Sequence, residues 1–112
     1  MGKGEFLGEL EQLVLLTVVR LGDEAYGMNI RRELSTRTKR EVAIGAVYSA
    51  LDRMERKGFL TSAATAAIAE RGGRSRRCFK ATRSGQTALS HSLQVIDALR
   101  GDVRFNPRAR TR

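Results

Sequence analysis

From Phe6 onward the apolar positions recur with the period of a helix. Between Gly8 and Leu21, Leu10, Leu13, Val14, Val18 and Leu21 share one side, and Leu15, Leu16 and Val19 carry the apolar surface around most of the circumference. A helix apolar over that much of its surface is buried on more than one side, either as a central core helix or against another copy of the chain. Gly22, Asp23 and Glu24 break the pattern, and their acidic side chains favour a new helix N-terminus near Ala25. Tyr26, Ile30 and Leu34 then stand at i, i+4 and i+8, with Asn29, Arg31, Arg32 and Glu33 outward, and this second helix is expected to end near Arg37.

Thr38 to Glu41 leaves room only for a short turn before the stretch Glu41 to Leu60, EVAIGAVYSALDRMERKGFL. Here Ile44, Val47, Leu51 and Met54 form one stripe at i, i+3, i+7 and i+10, and Gly58 sits where a C-terminal stop belongs, after the cations Arg56 and Lys57. The opposite side carries Gly45, Tyr48, Ser49, Asp52, Arg53 and Arg56. That mixture of small, hydrogen-bonding and cationic groups suits insertion against another polar surface; on this stretch alone an ordinary amphipathic core helix fits as well.

After Gly58 the period changes to two. Thr61 to Ile68 and Ser75 to Thr82 flank the pair Gly72-Gly73, the pattern of a β-hairpin. On the second arm Arg77, Phe79 and Ala81 fall on one face and Arg76, Cys78 and Lys80 on the other. The first arm is alanine-rich, so pairing has to override a helical preference there. Arg71, Arg74, Arg76 and Arg77 cluster about the tip, as a hairpin touching phosphates requires. Thr82 is a fitting N-cap for a last helix running to about Arg100, in which Leu89, Leu93, Ile96 and Leu99 make a two-heptad seam. So short a seam is marginal as an isolated coiled coil, which favours pairing with a second copy together with packing on the first helix.

The expected fold class is therefore mainly α with a small β-hairpin wing: a winged helix-turn-helix domain over residues 5–82, a dimerisation helix over 83–100, and a mobile basic tail over 101–112. The net charge of +9 points to a polyanion as partner, either nucleic acid or an anionic membrane surface. It is also unevenly placed: residues 1–42 carry seven Lys/Arg against seven Asp/Glu, so the whole excess begins at residue 43. A peripheral membrane role fits poorly, since the basic residues do not lie opposite a wide aromatic or leucine face. The longest apolar run, Leu13 to Val19, is far short of the roughly twenty residues of a span.

The single cysteine, Cys78, excludes an internal disulfide and fits a reducing cytoplasm. It reads as a buried inert thiol, with a reactive-thiolate reading left open by Arg76, Arg77 and Lys80 beside it. One histidine, His91, with Asp97 six residues on as its faint partner, makes no metal site. With no nucleophile-base pair and no phosphate-binding glycine loop, neither an enzyme nor a cofactor is expected.

The runs GELEQLVLLTVVRLGDEAYGMNIRREL and EVAIGAVYSALDRMERKGFL and the hairpin ERGGRSRRCFKATRSG together closely resemble PadR-like transcriptional regulators, over about Gly8 to Ala88. The most specific parts are VVRLGDEAYG at Val18 to Gly27, GAVY at Gly45 to Tyr48, and LDRMERKG at Leu51 to Gly58. The resemblance implies a cytoplasmic homodimer that binds a pseudo-palindromic operator, usually as a repressor, with the third helix in the major groove and the wing at the adjacent backbone or minor groove. It also implies dimerisation through the last helix, here Leu89, Leu93, Ile96 and Leu99, and a small-molecule effector of unknown kind. Where the family carries paired aromatics on its second wing strand, this chain has Cys78, Phe79, Lys80 and Ala81, a smaller wing core. The expected DNA-binding residues are Gly45, Tyr48, Ser49 and Arg53 on the helix and Arg71, Arg74, Arg76 and Arg77 on the wing, with Asp52 orienting a nearby arginine. A winged-helix module that turns the same surface toward protein or RNA is the rival reading.

Overall fold

The structure, a computed structural model, describes residues 7–65 and 76–108. Its elements run α1 (Glu9–Leu21), a single 3-10 turn (Gly22–Glu24), α2 (Gly27–Thr38), α3 (Ile44–Arg56), β1 (Leu60–Thr65), β2 (Arg76–Ala81) and α4 (Arg83–Arg100). The helix start at Gly8 is closed by the Gly8 N–H, which donates to Glu11 Oε1 at 2.9 Å. At the other end of the fold Thr82 caps α4 by accepting the Gly85 N–H at 2.9 Å, as its sequence position led one to expect.

The second helix begins two residues later than the acidic run suggests. Ala25 and Tyr26 are drawn out of it by the wing: the Phe79 N–H donates to the Ala25 carbonyl at 2.9 Å, and Tyr26 forms a single antiparallel bridge with Cys78. α2 closes at Lys39, which takes a left-handed φ of 59°, and the turn that follows is pinned by the Val42 N–H donating to Ser35 Oγ at 3.3 Å. The third helix is accordingly shorter than the stretch Glu41 to Leu60. After Arg56 the chain turns through Lys57 and Gly58, whose φ of 83° favours glycine, and enters β1.

β1 and β2 pair antiparallel from Leu60 opposite Ala81 to Thr65 opposite Arg76, so the alanine-rich arm is a strand after all. The rest of that arm, residues 66–68, and the tip with Arg71 and Arg74 lie outside the described residues. One core joins all of this: Val14, Leu15 and Val18 from α1, Ile30 and Leu34 from α2, Val47, Ala50, Leu51 and Met54 from α3, Leu60 and Phe79 from the hairpin, and Leu89 from α4. Ile44 is only half-buried at its margin. Full burial of such a side chain contributes about 1.5–3 kcal/mol, against about 0–1 for an exposed ion pair, so packing sets the position of α3.

The apolar circumference of α1 is covered unevenly. Val14, Leu15 and Val18 are buried within the protomer, while Leu16 and Val19 stay more than two-fifths exposed. The seam on α4 divides in the same way. Leu89 is 5% exposed and belongs to the protomer's own core, which corrects its expected place in a dimer contact; Leu93, Ile96 and Leu99 are 40%, 51% and 82% exposed. The reason is that α4 leans on α1 and β2 only through its first half. Beyond it residues 101–108 are exposed, and 109–112 lie outside the described residues.

Candidate nucleic-acid interface

α3 presents a polar side because Val47, Ala50, Leu51 and Met54 are used inward. The residues left outward, Gly45, Ser49, Asp52 and Arg56, follow at i, i+4, i+7 and i+11, a single strip of helix surface, and all four are exposed. A side chain at Gly45 would meet nothing within 4 Å, so the surface there is open rather than packed. Ala43, the N-cap, contributes no side-chain bond, which leaves the first-turn N–H groups of α3 without a side-chain partner. Arg56 was not among the expected contacts, although it shares the strip; it pairs with Asp52 at 2.5 Å, so the expectation that Asp52 orients an arginine fits this neighbour.

Tyr48 and Arg53 lie on opposite flanks of that strip. Tyr48 is partly exposed, and its hydroxyl end rests on Gly27 in the first turn of α2, where an added methyl would overlap the phenol. Its ring thus forms one wall of an open groove of about 460 Å³, with Ser49, Asp52 and Glu55 on the helix and Arg77 and Phe79 on β2. Glu55 is itself engaged, accepting from Ser62 Oγ at 2.7 Å. Arg53 turns toward α1, and its Nε donates to Glu11 Oε2 at 3.1 Å. Lys57 Nζ reaches the same oxygen at 3.5 Å.

Glu11 is only 6% exposed. Burial pushes its carboxyl up, but the Gly8 N–H, the Arg53 guanidinium and the Lys57 ammonium more than reverse this, and its pKa ends below the ordinary glutamate value. No local spacing signals this pairing, because Glu11 meets Arg53 and Lys57 from 42 and 46 residues away. A second carboxylate, Glu33, is also lowered, first by its hydrogen bond with Arg37 and further by Arg20.

On the wing, Arg76 and Arg77 are both exposed and point to opposite faces, as the alternation required. Arg76 lies over the Tyr26 ring, 4.9 Å from its centroid. Arg77 borders the groove beside α3. Cys78 is half-buried rather than buried, with its Sγ donating to the Asp23 carbonyl at 3.5 Å, and Lys80 pairs with the Asp23 carboxylate at 3.8 Å. Among the described residues there is no group of three His, Cys, Asp or Glu able to hold a metal, and no helix is long and apolar enough to cross a membrane.

Three helices with a tight α2–α3 turn, a hairpin behind them and a free polar strip on the third helix define a winged helix-turn-helix domain. The family model for the PadR-like transcriptional regulators matches residues 15–91, well over half of the sequence, and the chain belongs to that family. Its members are transcriptional regulators and not enzymes. Solved structures agree on the fold. A PadR-like transcriptional regulator from Bacillus cereus is 22% identical with a TM-score of 0.66, over 80% of this chain and 82% of that one. A PadR family regulator from Eggerthella lenta is 23% identical with a TM-score of 0.65, over 81% and 79%. RosR of H. salinarum is 22% identical with a TM-score of 0.64, over 91% and 84%. The curated proteins contain no match.

Proposed function

We propose that the chain is a cytoplasmic homodimeric repressor that binds a pseudo-palindromic DNA operator, with α3 in the major groove and β2 of the wing against the neighbouring backbone. One observation carries this reading: the strip Gly45, Ser49, Asp52 and Arg56 is exposed, open to close approach, and flanked by the exposed Arg77. Base reading then falls to Ser49 and to Arg56, whose guanidinium Asp52 orients, and Tyr48 lines the groove as a positioned wall. Arg76 and Arg77 serve the phosphates, which fix register without reading sequence. The sign of regulation rests on the family resemblance.

Dimerisation is supported by the free apolar half of α4, Leu93, Ile96 and Leu99, together with Leu16 and Val19 on the adjoining α1. Two copies joined there would set their α3 helices about one DNA turn apart, roughly 34 Å. An effector of the kind the resemblance implies would be held between the two protomers, beside Leu93 and Ile96.

Selection from random duplexes tests the reading. Wild-type protein should enrich a pseudo-palindrome that outcompetes bulk RNA at physiological salt. Enrichment of no sequence, or equal competition by RNA, would replace the operator reading with that of a module for RNA or protein.

A further inference from the structure

We propose that Glu11 is a positioning residue for DNA binding: it holds Arg53 by its Nε, so that the two terminal nitrogens of the guanidinium are presented at the edge of the α3 strip for a backbone phosphate. This rests on the reading that α3 faces DNA. A glutamate in the first turn of a surface helix needs no burial to cap that helix, and Glu9, two residues earlier, has a side chain 76% exposed. Glu11 divides its oxygens instead. Oε1 takes the capping Gly8 N–H, and Oε2 is committed to α3, to Arg53 at 3.1 Å and Lys57 at 3.5 Å.

The bond at Nε leaves Arg53 with four further N–H donors, and its side chain is 48% exposed. Arg53 also follows Ser49 at i+4 and precedes Arg56 at i+3, which sets it along the border of the outward strip. An unrestrained arginine gives up rotamer freedom when it grips a phosphate; one already held at Nε has given up much of it beforehand. Glu11 thereby couples α1 to the DNA-facing helix without touching DNA itself.

Charge alone makes the opposite prediction. Glu11→Gln removes one negative charge, taking +9 to +10 per chain, so bulk electrostatics would tighten DNA binding. Gln keeps an oxygen for the Gly8 N–H but offers Arg53 no acceptor in the place of Oε2. Positioning therefore predicts roughly three- to tenfold weaker binding and a salt slope reduced toward that of Arg53→Ala.

The experiment measures anisotropy of a labelled duplex recovered by wild-type protein from a random pool. Wild type is compared with E11Q, R53A, the double variant, and E11D, which keeps the charge but shortens the reach; thermal unfolding establishes that each is folded at the assay temperature. E11Q and E11D should both bind more weakly, and E11Q should cost nothing further once Arg53 is absent. Binding by E11Q as tight as wild type, or E11Q and R53A losses that simply multiply, would overturn the proposal; should E11Q fail to fold, unimpaired binding by E11D would do so. A wild-type protein that recovers no duplex would instead remove the operator reading on which it rests.

Discussion

Gly27 and Gly85 are both closed to a side chain, but by neighbours of very different stiffness. A methyl at Gly85 would land on the Phe59 carbonyl, which is backbone at the start of the wing, so the first turn of α4 would have to move away. Gly85→Ala is expected to cost about 1–3 kcal/mol in a urea titration, the range for overpacking. A methyl at Gly27 meets the end of Tyr48, a side chain able to swing outward. Gly27→Ala should therefore cost less, and the cost should vanish in a Tyr48→Ala background. Glu11 gives the residue scale its pH dependence. Its pKa is lowered in the folded chain, so its contribution is present above the unfolded value and is lost as pH falls through the folded one. Urea midpoints should drop as pH is lowered from about 7 to below the ordinary glutamate value, and the drop should be smaller in E11Q. An equal drop in both proteins would show that other carboxylates, Glu33 among them, carry the acid sensitivity.

At the scale of elements, α3 and α4 show what a stripe of apolar residues does and does not convey. The α3 stripe was legible because Val47, Leu51 and Met54 all turn to one core; Met54→Ala should cost about 2–5 kcal/mol by the same titration. Spacing named the stripe on α4 equally well but not what covers it, and Leu89 proved to pack at home while Leu99 stands open. On the proposal that two copies pair through α4, Ile96→Glu is expected to shift sedimentation from dimer toward monomer, with little change in far-ultraviolet circular dichroism. Arg53 was legible as a cation near the strip; its tie to Glu11 was not, because contacts between distant residues leave no mark in local periodicity. The late start of α2 was hidden for a related reason: the acidic turn argues for a helix at Ala25, and only the return of β2 from later in the chain holds Ala25 and Tyr26 out of it, with Tyr26 extended.

For the whole molecule, balanced charge in the first 42 residues and excess charge thereafter correspond to a division of the surface. Among the described residues the excess sits mainly on β2, through Arg76, Arg77 and Lys80, with smaller contributions from Lys57, α4 and the segment after it, while Asp52 and Glu55 balance Arg53 and Arg56 within α3. If a dimer contacts six to eight phosphates, the logarithm of the binding constant should fall against the logarithm of salt with a slope of roughly −5 to −7. Arg76→Ala with Arg77→Ala should flatten that slope and weaken binding to every duplex alike, whereas changes at Ser49 or Arg56 should alter which duplex is preferred. The molecule measures 60 × 35 × 20 Å, and α4 continues past the core that its first half joins. The unequal neighbours of the two strands also set an order of solvent penetration. β2 is held on one edge by β1 and on the other by the Phe79 N–H to Ala25, so β1 can peel away while that second contact survives. In a deuterium exchange time course the Phe79 amide should accordingly outlast those of Cys78 and Lys80, which alternation turns toward β1.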